Sequence, residues 1–161
     1  MTDAIDLFAP IQPNEGLGGL RLRCHISELS EFVVGLGVTR PGTYELTKPF
    51  EATYSFGDGS VRCAVDVRNG EVFKLIATRN YKGKFRERVH VGMAVRDALS
   101  VEPGLFYSEA EECILCKGIE GIVFDVPIED PDPSEVLSLV VSSISVYAVE
   151  AFTEVGQKGN W

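Results

Sequence analysis

The run FEATYSFGDGSVRCAVDVRNGEVFKLIAT, Phe50 to Thr78, decides the fold class. Phe50, Ala52, Tyr54 and Phe56 alternate with polar partners until Gly57-Asp58-Gly59-Ser60 interrupts them. Val61, Cys63, Val65 and Val67 then alternate with Arg62, Ala64, Asp66 and Arg68. Asn69-Gly70 suits a type I′ hairpin turn, both of whose central residues need positive φ. Val72, Phe73, Leu75 and Ile76 form a third run. Apolar residues at a spacing of two between turn residues predict a three-stranded antiparallel meander with one apolar face.

Working outward, Tyr44 to Thr47 is a weak strand ahead of the meander, and Leu20, Leu22 and Cys24 alternate as another. Ser27 to Val34 is predicted as a helix with Ile26, Leu29, Phe32 and Val33 on one face and Ser27 as its cap, stopped by Gly35, Gly37 and Pro41-Gly42. Beyond the meander, Phe85 to Val91 alternates again, and Ala94 to Val101 is a short helix ended by Pro103-Gly104. Leu105 to Tyr107, Cys113 to Lys117, Gly121 to Val126 and Ser143 to Glu150 are further strands, with a short helix over Val136 to Val141. The expectation is an α+β fold of antiparallel meanders with two or three short helices. Residues 1–14 form an extended arm, 15–152 a single domain and 153–161 a loose tail. Stretches 15–78 and 86–150 echo one another as strand-helix-strand-strand units, an echo that chance alternation of apolar residues explains equally well.

At 161 residues the chain suits one domain, able to bury roughly 70% of its unfolded surface without disulfide staples. The hydrophobic fraction of 45% and charged fraction of 24% are those of a globular protein, which excludes wholesale disorder. Residues 1–14 carry Asp3 and Asp6 where a secretory signal needs lysine or arginine, and serines interrupt Val136 to Val149, the longest apolar-rich run. A cytoplasmic chain with no membrane span is therefore expected. Cys24, Cys63, Cys113 and Cys116 are then reduced, small apolar side chains.

No pattern here carries chemistry. Cys113-Ile114-Leu115-Cys116 has C-x-x-C spacing, but a redox pair needs a helix N-terminus, whereas a strand would turn the two thiols to opposite faces. A zinc site would have to recruit Cys24, His25, Cys63 or His90, none of which forms a second close pair. Neighbouring residues diverge in a strand, so Cys24-His25 is not a nucleophile with its base. Gly16-Leu17-Gly18-Gly19 leads into a strand rather than a helix and is a flexible entry, not a phosphate cradle. No catalytic residue, metal or cofactor is expected.

Charge is distributed unevenly. Arg79, Lys82, Lys84, Arg86 and Arg88 oppose only Glu87, a local balance of +4 within a chain of net charge −9. Together with Tyr81 they form a basic knuckle, a secondary binding candidate that is equally read as a solvated hairpin. From Gly118 to Gln157 there is no lysine or arginine against eight acids. Glu109, Glu111, Glu112, Asp130, Asp132 and Glu135 make up an acidic flank. The overall negative charge disfavours nucleic acid and favours a basic partner.

Asn80-Tyr81-Lys82-Gly83-Lys84, Val91-Gly92-Met93, Gly121-Ile122-Val123-Phe124-Asp125 and Ser143-Ile144-Ser145-Val146-Tyr147 resemble a pattern in small β-rich bacterial proteins encoded beside polymorphic or contact-delivered toxins. The resemblance covers the second half of the chain and implies an immunity protein, a cytosolic antitoxin that inhibits a cognate toxin by direct contact. It brings no catalytic residues. An acidic surface would complement a basic toxin cleft, placing Glu109 to Glu112 and Asp130 to Glu135 at the contact. The alternative is a small-ligand or regulatory module that forms a homodimer through a sheet edge.

Overall fold

The structure is a computed structural model that describes residues 5–30 and 44–161. Among these, the strands are β1 (Gly16–Leu17), β2 (Leu20–Arg21), β3 (Tyr44–Lys48), β4 (Glu51–Phe56), β5 (Val61–Asp66), β6 (Glu71–Ala77), β7 (Leu105–Ser108), β8 (Cys113–Cys116), β9 (Ile119–Asp125) and β10 (Ser143–Tyr147). One α-helix, α1 (Val95–Val101), and several 3-10 turns accompany them. β1 and β2 form a small hairpin, and β3 to β10 form one antiparallel sheet in the order β3-β4-β5-β6-β10-β9-β8-β7. Two four-stranded meanders thus meet through their last strands. The class is α+β, dominated by the sheet.

Register explains why the sheet holds. Val61 faces Ala77, Ala77 faces Ile144, Ile144 faces Phe124 and Phe124 faces Ile114, an apolar row across five strands. Every member of that row is fully buried. Cys63, Leu75, Val146 and Ile122 form a second row on the same face. Each large side chain so buried stabilises the fold by about 1.5–3 kcal/mol relative to exposure. Leu17, Tyr81, Phe85, Val89, Val95 and Ala98 join these rows in one core, where Phe85 meets Phe124 edge to face at 5.6 Å. The other face carries Arg62, Ile76, Ser145 and Val123 in one row and Ala64, Lys74 and Tyr147 in the next.

α1 is short because it is bounded on both sides. Val95 and Ala98 are buried on one face, and Pro103-Gly104 ends the segment. Its N-terminal end is tied down by Val95 N–H donating to Leu139 O at 2.9 Å. No helix among the described residues is long and apolar enough to cross a membrane.

The central meander lies where its period places it, but several neighbouring expectations are corrected. Asn69-Gly70 does not make a type I′ turn: only Gly70 has positive φ, and a four-residue loop from Val67 to Gly70 closes on the Asp66–Glu71 pair. Val67 is consequently 46% exposed instead of facing inward. Gly16-Leu17-Gly18-Gly19 is no flexible entry, since Gly18 and Gly19 adopt φ of 68° and 80° to turn β1 into β2. His25, not Ser27, caps the turn at Ile26–Leu29 in a capping box with Glu28. The remainder of the helix predicted there, with Gly35, Gly37 and Pro41-Gly42, lies outside the described residues. Phe85 to Val91 is not a strand. Arg86 and Glu87 take positive φ, and Phe85 bridges Val89 across a tight loop. Val136 to Val141 contains only a 3-10 turn, Val136–Ser138. The tail is not loose, because Trp161 Nε1–H donates to Asp66 Oδ2 at 3.1 Å and Arg68 Nη1–H to Gln157 O at 2.7 Å.

Candidate functional site

The acidic flank is assembled from two connections far apart in sequence. Glu109, Glu111 and Glu112 occupy the β7–β8 connection, and Asp130, Asp132 and Glu135 occupy the loop between β9 and β10; all six are exposed. The first connection is shaped by Glu112 at φ 53° and by Glu111 N–H donating to Ser108 Oγ at 3.3 Å. In the second, Asp132 Oδ1 accepts from the Ser134 N–H at 2.9 Å and the Ser134 hydroxyl at 2.7 Å. Those bonds hold the Asp132 carboxyl below its ordinary range. Asp130 turns the same loop with φ 46°.

Tyr107, half-buried on β7, feels negative charge from both connections. Its hydroxyl is held protonated above the ordinary range, first by desolvation and then by the negative charges of Glu112, Asp130 and Glu109. Glu109, Glu112 and Asp130 therefore share one electrostatic neighbourhood. Glu111 acts instead on Cys113, whose thiol burial pushes up to about 11 with further help from Asp125 and Glu111. Asp132 and Glu135 extend the same loop without contributing to either group. Among the described residues none of the six carboxylates is in a salt bridge.

The basic knuckle does not form one surface. Tyr81 is only 2% exposed: its hydroxyl accepts from Gly18 N–H at 2.8 Å and donates to Ala9 O at 2.7 Å. Tyr81 therefore corrects its assignment as a binding residue, since it pins the N-terminal segment to the core. Arg86 is drawn to the buried carboxylate of Glu102 at 3.1 Å and lies over the Phe85 ring at 5.2 Å. Arg79, Lys82 and Lys84 remain exposed.

The thiols are poor nucleophiles. Desolvation raises Cys24, Cys63 and Cys116 as well as Cys113, so none is a thiolate near neutral pH. All four are free, and Cys113 and Cys116 stand on β8 where they pair with Ser108 and Leu105. His25 is occupied in its cap. No group of three or more potential metal ligands occurs among the described residues.

Two concavities were not apparent from the sequence. A broad cleft of about 1200 Å³ runs from the N-terminal segment to the β7–β9 end, lined by Ile11, Phe85, Phe106, Leu115, Ile122 and Tyr147, with Arg86, Lys117 and Glu120 among its charged members. A smaller cavity of about 350 Å³ lies under the C-terminal tail among Phe50, Phe73, Phe152 and Trp161. Tyr107 and this aromatic cavity are what residue patterns missed. The available signal was the one tryptophan, placed in an otherwise polar tail.

No family model matches the chain, and no curated protein matches it in sequence. Among solved structures, the uncharacterized protein yfeY from Escherichia coli is similar at a TM-score of 0.48 and 12% identity, over 89% of this chain and 95% of that one. A cysteine-rich secretory protein, SAV1118, from Staphylococcus aureus is similar at a TM-score of 0.43 and 15% identity, over 92% of this chain but 52% of that one. Similarities this loose carry no functional implication.

Proposed function

We propose that this is a non-catalytic binding protein that sets its acidic corner against a basic surface on another protein, as an immunity protein does against its cognate toxin. The observation that supports it is that Glu109, Glu112 and Asp130, from two separate connections, all act by their charge on Tyr107, with all three carboxylates exposed. Exposed surface charges of one sign at one corner steer a partner of opposite charge and orient it during encounter. Among the described residues, burial raises all four thiols and His25 is engaged as a cap, in keeping with a binding role. The proposal places the protein in the cytosol. The strand-helix-strand-strand repeat expected for 15–78 and 86–150 is not part of the proposal, since Phe85 to Val91 is a loop and, among the described residues, no α-helix interrupts either four-stranded meander.

Co-expression with the products of the adjacent reading frames, followed by affinity purification, tests this. A complex that is lost in the triple variant Glu109→Lys, Glu112→Lys, Asp130→Lys supports the acidic corner, and a complex indifferent to those changes removes it. A second reading, a small-ligand or regulatory module that dimerises through a sheet edge, draws on the cleft of about 1200 Å³ and on Phe106, 44% exposed on edge strand β7. Phe106→Glu would abolish such a dimer in sedimentation velocity and leave the acidic contact intact.

A further inference from the structure

The cavity of about 350 Å³ beneath the C-terminal tail is built from parts distant in sequence. Phe50 precedes β4, Phe73 sits on β6, and Phe152 and Trp161 arrive with the last residues of the chain. Phe73 lies 5.9 Å from Phe152 and 6.4 Å from Trp161, both with inclined rings, so the aromatic walls present edges and faces in different directions. The Arg68 guanidinium lies 4.7 Å from the Phe50 ring centroid and continues that wall as a flat cation.

Its charges are already satisfied. Asp66 accepts from Arg68 Nε at 2.9 Å and Nη2 at 2.7 Å, and Trp161 Nε1 donates to the same carboxylate. The remaining Arg68 Nη1 donates to Gln157 O. Lys48, also in the lining, stands 3.7 Å from Glu51. A charged occupant would find no unbalanced partner, whereas a ring would find faces and edges to pack against. Phe50 and Phe152 are 55% and 49% exposed, a placement of two large aromatic side chains that the core does not require. The volume falls at the lower end of the range for small-molecule sites, room for one or two fused rings.

We propose that this cavity binds a neutral, planar aromatic molecule between Phe50, Phe73, Phe152 and Trp161. The site is independent of the acidic corner. It lies at the Asp66–Glu71 end of the strands, whereas the β7–β8 connection lies at the end where Val61 pairs with Ala77.

Trp161 is the only tryptophan, so its Nε1–H signal in the full-length ¹⁵N-labelled chain reports on the site alone. Titration with unlabelled indole should move that signal saturably, with a midpoint below about 1 mM. Cyclohexanol should need at least about tenfold more, because it lacks a π face. Phe50→Ala and Phe152→Ala remove half-exposed walls and should each weaken indole about tenfold, the loss of roughly one ring contact. Ala151→Leu keeps every ring but fills the space and should abolish the shift. N-acetyltryptophanamide should bind more weakly than indole. Tighter binding would assign the ring to a partner's side chain and overturn the small-molecule proposal. So would a shift linear in indole up to about 10 mM, or one unchanged in Ala151→Leu.

Discussion

Replacing Tyr81 by Phe removes a single oxygen and tests how the N-terminal segment is held. That oxygen accepts from Gly18 N–H at 2.8 Å and donates to Ala9 O at 2.7 Å, joining two points of the segment to the core. Gly18 is buried, so its N–H would lose a partner without gaining water, at about 1–3 kcal/mol. Ala9 is half-buried, and its carbonyl can recruit solvent at a cost nearer 0.5–1.5 kcal/mol, roughly an ordinary net hydrogen bond. The expected loss is about 2–4 kcal/mol, which for a chain of this length lowers Tm by about 5–12 °C. Urea denaturation followed by far-UV circular dichroism should show the midpoint falling by about 1–2 M with an unchanged slope. Alkaline titration adds a second readout. Burial pushes the Tyr81 hydroxyl from 10.0 up to about 12. A folded pKa above the unfolded one means that this contribution is complete below pH 10.0 and is lost as pH rises through about 12. Wild-type protein should weaken across that window, and the Phe variant should lack the Tyr81 share of the weakening. A Tm within about 1 °C of wild type would refute the buried clamp and return Tyr81 to the surface.

Gly121 has φ 80°, and a Cβ there would stand 2.5 Å from Asn14 Cβ and 2.7 Å from Asn14 N, so Gly121→Ala should cost about 1–3 kcal/mol in urea denaturation. The Arg68 guanidinium, aided by Trp161 Nε1–H, holds the Asp66 carboxyl below its ordinary range. A depressed folded pKa gives stability that is present above the unfolded carboxylate value and lost as pH falls through the folded one. Trp161 fluorescence should therefore stay native at pH 4 and change only at more acid pH, and in Asp66→Asn it should be altered already at neutral pH. Glu109→Gln, Glu112→Gln and Asp130→Asn together should lower the Tyr107 titration midpoint in ultraviolet absorbance while shifting stability by no more than about 0.5 kcal/mol. An unmoved midpoint would separate the two connections.

The sheet was legible because period-2 spacing survives wherever one face is buried. Val61, Cys63 and Val65 on β5, like Ile122 and Phe124 on β9, show that alternation directly, and the structure pairs them as neighbours in the core rows. Backbone conformation was not legible in the same way. Asn69-Gly70 has the composition of a type I′ turn, but Asp66 accepts from Gly70 N–H and from the backbone and guanidinium of Arg68, and these bonds stabilise a longer loop. Phe85 to Val91 alternates in composition, yet positive φ at Arg86 and Glu87 folds it into a loop that places Phe85 and Val89 in the core and Arg86 on Glu102.

The acidic flank could be read as composition but not as a site. Nothing local in Glu109 to Glu112 or Asp130 to Glu135 says that three of the six act by their charge on Tyr107, because that depends on the order β10-β9-β8-β7. The aromatic cavity was hidden for the same reason. Its four rings are drawn from positions between 50 and 161 and meet where Trp161 bonds to Asp66 and Arg68 to Gln157. Tyr81 was misread because it sits among lysines. A polar neighbourhood in sequence does not determine burial when a single phenol oxygen can satisfy two backbone groups.

The most direct test of the acidic corner is the rate at which the chain associates with the proposed toxin partner, sought among the products of the adjacent reading frames and measured by stopped flow from low to high salt. Wild-type protein should associate at least about tenfold faster at 50 mM than at about 500 mM salt, and Glu109→Lys, Glu112→Lys, Asp130→Lys should slow the low-salt rate and flatten the dependence. A rate and a salt dependence unchanged by the triple reversal would show that the contact is made elsewhere.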